Sequence, residues 1–261
     1  MEITNESVAK GVAEGCFQLG VGGEMVPGII WRPEHASGPT PVVLIGHGGT
    51  QHKRAPNVLA LARRFVRHEG FSAVALDAPG HGDRVVDQAA ADAARHNLER
   101  RIAAGRDGPS VLDFSPEQAK QWVERTALGV REWKALVDTL QSDGLITDRI
   151  GYWGLSMGTA IGLPFVASEP RVTAAVLGLA GLSAQRAGAA TFEQAARSLT
   201  VPVLFVFQWD DELMSRQSGL DLFDAIGSTD KAMHIHPGGH VGTPLYERDA
   251  YDGFFRRHLG S

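Results

Sequence analysis

The sequence predicts an α/β protein built on one mostly parallel sheet. Six short runs are almost continuously apolar, which is typical of parallel strands covered on both faces. Segments with helical periodicity separate these runs, and strands alternating with helices imply right-handed βαβ crossovers. The runs are PVVLIGHGG from Pro41, FSAVALDAPG from Phe71, RIGYWGLS from Arg149, VTAAVLGLAG from Val172, PVLFVFQWDD from Pro202 and KAMHIHPGGH from Lys231.

Residues 16–31 precede the six runs and predict an antiparallel hairpin. Two strand-like pieces, CFQLGV and VPGIIW, flank Gly22 and Gly23, and paired glycines between apolar runs are a turn signal. We therefore expect a mixed sheet with a hairpin at one edge.

Helices are expected between the strands. Residues 57–67 place five apolar side chains on one stripe, and Ser115-Pro116-Glu117-Gln118 is a capping box with proline at the first helical position. Further helices should follow Ser156, span about 215–226, and run from 243 to 258. The stripe consists of Val58, Leu61, Ala62, Phe65 and Val66.

Residues 84–113 interrupt the alternation. The segment is long and rich in Ala, Arg and Asp, and long loops in compact domains are often functional. Two interpretations stay open: a solvated surface insertion and a small lid.

The composition excludes several classes of function. The 261 residues contain 43% hydrophobic and 21% charged residues, and 25 basic against 30 acidic side chains give a net charge of −5. Such a chain is not attracted electrostatically to nucleic acid or to anionic lipid. Cys16 is the single cysteine, and the first residues lack the pattern of a secretory signal. We expect one domain, 1–261, located in the cytoplasm, with neither nucleic-acid nor membrane partners.

The strongest chemical signal is GLSMG, in which Ser156 is the central residue. It lies where a predicted strand turns into a predicted helix. Such a turn strains the backbone and exposes the serine hydroxyl, and glycines on either side avoid steric clashes. The pattern predicts a nucleophile, the alternative being a glycine-rich turn without chemistry.

A serine nucleophile needs a base, and the base needs an orienting acid. His240 ends the last predicted strand within a glycine loop, which makes it the candidate base. Asp210 and Asp211 both follow the preceding strand, and neighbouring strand residues point in opposite directions. The continuation DELM favours Asp211, with Asp210 as the alternative.

Gly46-His47-Gly48-Gly49 ends the first parallel strand. Glycines there let backbone N–H groups approach a developing oxyanion. The N–H of Met157, directly after the serine, would be the second donor. Neither GxGxxG nor GxxxxGK[ST] occurs, so the sequence does not predict a nucleotide site.

These motifs together resemble the α/β-hydrolases, and in particular the small esterases of the dienelactone-hydrolase-like branch. GHGGTQHK, DAPGHGDR, GLSMG, DDELM and PGGH follow in the order and spacing of that family, from about Val42 to the end. The resemblance implies an α/β-hydrolase fold with an eight-stranded, mostly parallel sheet. The short interval between Gly181 and Pro202 has room for one small helix, so we expect no large cap.

The same resemblance implies a role for six residues. It places the catalytic serine, histidine and acid at Ser156, His240 and Asp211. It places the backbone donors of the oxyanion hole at Gly49, Met157 and Gly48.

The function expected from the sequence is hydrolysis of small or medium carboxylic esters through an acyl-enzyme, by a monomer or homodimer without a cofactor. Lactone or amide cleavage, acyl transfer and perhydrolysis use the same residues, and a non-catalytic receptor is the alternative from another class. Gln51, His81 and Trp209 are candidates for the substrate pocket. His234 and His236 alternate before His240, but no HxHxDH or HExxH is present, and the sequence predicts no metal site.

Overall fold

The computed structural model describes residues 1–105, 115–185 and 188–260. Nine strands and seven α-helices occur in these ranges. The strands are β1 (Ile3–Ala9), β2 (Val12–Val21), β3 (Glu24–Pro33), β4 (Thr40–Gly46), β5 (Ser72–Leu76), β6 (Ile146–Leu155), β7 (Val172–Gly178), β8 (Val203–Gln208) and β9 (Lys231–His236). The helices are α1 (Pro56–Arg64), α2 (Gln88–Ala104), α3 (Pro116–Ser142), α4 (Met157–Ser168), α5 (Ala189–Ser198), α6 (Arg216–Ala225) and α7 (Glu247–Leu259).

All nine strands join one sheet in the order β1-β2-β3-β5-β4-β6-β7-β8-β9. The first three strands and the β3–β5 pair are antiparallel, and every pair from β5 to β9 is parallel. This confirms the predicted mixed α/β fold. The sheet has one strand more than the expected eight because β1, whose sequence ITNESVA is mostly polar, adds to the hairpin edge.

The hairpin of β2 and β3 turns where the sequence predicts it. Val21 pairs with Glu24, and Gly22 and Gly23 have φ angles of +58° and +88°. Positive φ at both central residues is the requirement of the type I′ turn that matches strand twist. The Gly-Gly pair therefore fixes the register of this edge.

Helices cover both faces of the sheet, and a separate apolar core lies on each side. Leu136 of α3 and Phe165 of α4 are buried on one face, together with Phe205. Phe65 and Phe255 of α7 pack edge to face on the other, with ring centroids 5.4 Å apart. The continuously apolar strands are explained by this double coverage.

The capping box of α3 is present, since Ser115 Oγ accepts the Gln118 N–H and the Gln118 side chain accepts the Ser115 N–H. The first half of α3 is mostly exposed, including the apolar Val123. Within 84–113, the described part forms α2, on which only Arg101 is buried, and residues 106–114 lie outside the described ranges. The choice between lid and surface insertion stays a prediction. No helix in the described ranges is both long and apolar enough to cross a membrane.

Candidate active site

Ser156 lies in the sharp turn between β6 and α4. Its backbone has φ +58° and ψ −117°, a conformation that a non-glycine residue adopts only under strain. A Cβ on Gly154 would lie 2.7 Å from the Gly158 carbonyl oxygen, and a Cβ on Gly158 would overlap the carbonyl oxygen of Gly46. The glycines of GLSMG are therefore required by close backbone contacts.

A hydrogen-bond chain connects the three residues that the sequence singles out. Ser156 Oγ lies 2.9 Å from His240 Nε2, and His240 Nδ1 lies 2.7 Å from Asp211 Oδ2. His240 and Asp211 are buried, whereas the serine is partly accessible. The arrangement matches the serine, base and acid of acyl-transfer sites.

The two candidate acids occupy different environments. Asp211 is 3% exposed, and its Oδ1 accepts the N–H groups of Leu213 and Met214, each at 2.8 Å. Asp210 is exposed and pairs with Arg216 at 2.9 Å. The structure thus brings Asp211, and not Asp210, to the histidine.

A third carboxylate, which sequence reasoning missed, supports the histidine loop. Glu212 is buried, and its Oε2 accepts the backbone N–H of His240 at 2.7 Å. A Cβ on Gly239 would lie 2.6 Å from the same carboxylate. The Asp210 N–H also donates to the Gly238 carbonyl at 3.0 Å, so the two loops are joined through their backbones. The one signal in the sequence is the position of Glu212 within DDELM.

His47, which was seen in the sequence only as part of a glycine loop, holds that loop in place. Its Nε2 accepts the N–H of Ala78 at 3.0 Å, so the ring proton lies on Nδ1 and is donated to the Gly48 carbonyl at 2.8 Å. Burial lowers the pKa of His47 to about 4. The ring is therefore neutral near pH 7 and keeps both hydrogen bonds.

The predicted oxyanion donors differ in their surroundings. The Gly48 N–H donates to Gln51 Oε1 at 3.2 Å, and that oxygen also accepts a hydrogen bond from Asn57. Met157 is the first residue of α4, where a helix leaves its N–H groups without intrahelical acceptors. Gly49 follows Gly48 on the same loop, and a Cβ there would meet no neighbouring atom within 4 Å.

The predicted pocket residues have structural contacts of their own. Gln51 braces the glycine loop as described, and His81 Nδ1 lies 3.1 Å from the Pro79 carbonyl oxygen. Trp209 is 43% exposed, with the Arg216 guanidinium 4.3 Å from its ring centre. Contact of these three side chains with substrate stays a prediction. A small pocket beside the turn is lined by Gly46, His47, Leu76, Ala78, Pro79, Gly129, Glu132, Trp133, Tyr152, Gly158 and Ile161.

Ion pairs hold the loop after β5. Lys53 Nζ lies 2.7 Å from Asp77 Oδ2 and 2.6 Å from Asp83 Oδ2. Arg84 makes a bidentate pair with Glu132 of α3, at 2.8 Å for each bond. Arg84 also donates to the backbone carbonyl of Asp77, at 3.1 Å.

Comparison with solved structures identifies the family. A cold-adapted esterase from an Arctic intertidal metagenomic library is 32% identical to the chain, with a TM-score of 0.80 over 99% of this chain and 100% of the other. The chain belongs to the α/β-hydrolase superfamily. A zinc-bound structure of that esterase aligns with 31% identity and a TM-score of 0.74, over 99% of this chain and 100% of the other.

More distant members of the superfamily share the fold. Dienelactone hydrolase from Anabaena variabilis is 17% identical with a TM-score of 0.66, covering 95% of this chain and 99% of its own. Acetyl xylan esterase 1 from Thermoanaerobacterium is 18% identical with a TM-score of 0.72, covering 100% of this chain and 88% of its own. Neither a family model nor a curated protein sequence matches the chain.

Proposed function

We propose that this carboxylic ester hydrolase cleaves esters of small or medium size through an acyl-enzyme on Ser156. His240 takes the hydroxyl proton as Oγ attacks the ester carbonyl carbon, and then gives it to the departing alcohol. Water then attacks the acyl-enzyme with His240 as base, which releases the acid and restores the serine. Asp211 orients the ring and stabilises the imidazolium.

The oxyanion that forms at the carbonyl oxygen needs backbone donors. We assign this role to the N–H groups of Met157 and Gly49. Met157 suits it because the first turn of α4 presents unpaired N–H groups and the positive end of the helix dipole. Gly48 has a positioning role in this proposal, because its N–H donates to Gln51 and its carbonyl accepts from His47.

One observation carries the proposal: the chain of hydrogen bonds from Ser156 through His240 to Asp211, which starts at a strained turn. The esterase names of the relatives with 30–32% identity agree with ester substrates.

The test is hydrolysis of p-nitrophenyl butyrate by wild type and Ser156→Ala. We expect the variant to lose turnover while keeping the wild-type circular dichroism spectrum and melting temperature. Ser168→Ala, at the other end of α4, is the control and should retain activity. Turnover near the wild-type rate in a folded Ser156→Ala protein would contradict the nucleophile assignment. A panel of esters, lactones and amides then defines the leaving group.

A further inference from the structure

Two histidines and a glutamate meet at the outer edge of the sheet. His234 and His236 are alternate residues of β9, so their side chains lie on the same face of the strand. Glu247 begins α7 beside them. His234 Nδ1 lies 2.7 Å from Glu247 Oε1, and His236 Nε2 lies 2.8 Å from Oε2. One donor atom from each residue lies within 4.8 Å of the others.

The donor set has the chemistry of a transition-metal site. Imidazole nitrogens combined with a carboxylate are ligands that Zn²⁺ prefers, and two histidines with one glutamate leave a fourth position for water. The Glu247 side chain is 3% exposed and the His234 side chain 40% exposed. The carboxylate is therefore held in place, while the histidine on the solvent side leaves a path for an ion and for water.

Tyr246 supplies the outer contact that such sites use. Its hydroxyl lies 3.3 Å from His236 Nδ1, the nitrogen that does not face the glutamate. A histidine bound to a metal through Nε2 carries its proton on Nδ1. The Nδ1–H group of His236 can then donate a hydrogen bond to the phenol oxygen of Tyr246. Contacts of this kind orient the ring and strengthen ligand binding.

We propose that His234, His236 and Glu247 bind a divalent transition metal of the zinc class. His236 and Glu247 flank the ten-residue segment 237–246, which carries His240. An ion at this position joins the two ends of that loop and stabilises the folded state, because it binds the native arrangement and not the unfolded chain. The site is distinct from the serine site, whose histidine contacts Asp211.

A metal-free interpretation accounts for the same contacts as hydrogen bonds between two imidazoles and one carboxylate. The two interpretations differ in what an added ion does. If the three residues are metal ligands, the protein binds one Zn²⁺ per chain and its melting temperature rises. If they only form hydrogen bonds with one another, added Zn²⁺ changes neither.

The experiment is titration of chelator-treated, dialysed protein with zinc chloride, followed by calorimetry and by thermal unfolding. We expect one ion per chain and, at a hundredfold excess over Kd, a rise in melting temperature of about 5 °C or more. His234→Ala, which changes the most exposed ligand, should weaken zinc binding more than tenfold. Tyr246→Phe should weaken it by roughly tenfold, as loss of an outer contact does.

His35→Ala changes an exposed histidine elsewhere and should bind zinc as wild type does. Failure of wild type to bind one zinc ion, or binding of equal strength in wild type and His234→Ala, would overturn the proposal. Calorimetry and thermal unfolding do not measure ester hydrolysis, so failure of the zinc proposal and failure of the proposed function can be told apart. The test changes His234 and not Glu247, because substitution of the buried Glu247 would also disturb folding.

Discussion

Asp211→Asn tests the proposed acid with little change in shape. In the wild type, Oδ1 accepts the N–H groups of Leu213 and Met214, and Oδ2 faces His240 Nδ1. An asparagine that keeps its carbonyl oxygen on those two N–H groups presents its NH₂ group to the ring. Because NH₂ only donates, Nδ1 must become the acceptor, and the ring proton moves to Nε2, which faces Ser156. The ring then has no lone pair with which to remove the serine proton.

The size of the effect follows from the two orientations open to the amide. With the ring in the wrong tautomer, turnover should fall by roughly 10⁴, as in serine proteases, which corresponds to about 5 kcal/mol. If the asparagine amide rotates by half a turn, its oxygen faces His240 and the productive tautomer returns. The N–H groups of Leu213 and Met214 then face NH₂ and lose their acceptor, at a cost of about 1–3 kcal/mol each. Even that route costs at least about 2 kcal/mol. We therefore expect kcat/KM of Asp211→Asn to fall by between about 30-fold and 10⁴-fold.

The assay is p-nitrophenyl butyrate hydrolysis near pH 8, with melting curves to show that each variant is folded. Asp210→Asn is the matched control. Its carboxylate is exposed and contacts Arg216, so we expect a loss of less than about threefold, the range of a surface pair. If Asp211→Asn stayed within tenfold of wild type, or if Asp210→Asn lost as much, the reasoning from the hydrogen bonds would be refuted.

Three further predictions concern stability and substrate range. The pKa of His47 lies at about 4 in the folded protein, below its ordinary 6.5, so the imidazole of the unfolded chain is protonated first as the pH falls. The free energy of unfolding should therefore be unaffected above pH 6.5 and decrease by up to about 3 kcal/mol by pH 4. Urea unfolding should show this decline in wild type and a shallower one in His47→Asn; equal slopes would contradict it. Lys53→Met leaves Asp77 buried without its cation and should lower the free energy of unfolding, measured in urea, by about 3 kcal/mol. Lys120→Met, which changes an exposed lysine, is the control, and equal unfolding midpoints of the two variants would refute the role of the pair. Between β7 and β8 the described residues form only a short 3₁₀ turn and α5, so acetate and butyrate esters should be cleaved faster than palmitate esters; interfacial activation by long-chain substrates would count against this.

The sheet and the GLSMG turn could be predicted because their physical causes are local. A strand buried on both faces must be apolar throughout, as Val42 to Ile45 and Val203 to Phe207 are. Gly154 is required by a backbone contact within a few residues of the serine, at Gly158, whereas Gly158 itself also lies against the distant Gly46 carbonyl. Patterns of this kind are readable in a single sequence.

The missed residues depend on partners far away in the chain. His47 bonds to Ala78, Glu212 receives the His240 N–H, and Glu247 lies against β9. Each is a polar residue in a loop or at a helix start, where no periodicity marks it. The strand β1 was missed for a related reason, since a mostly exposed edge strand needs no apolar alternation. Only the assembled fold shows these contacts.

The backbones of Gly158 and Gly46 lie so close together that neither position has room for a side chain, and this limits how the enzyme can be engineered. Tyr152, whose hydroxyl donates to the Gly158 carbonyl at 2.7 Å, closes the same space from the sheet side. A library that varies Gly46 and Gly158 should consist mostly of unfolded proteins. Trp133 and Ile161 line the adjoining pocket but lie outside the GLSMG turn, so substitutions there change the pocket without adding a side chain to the turn.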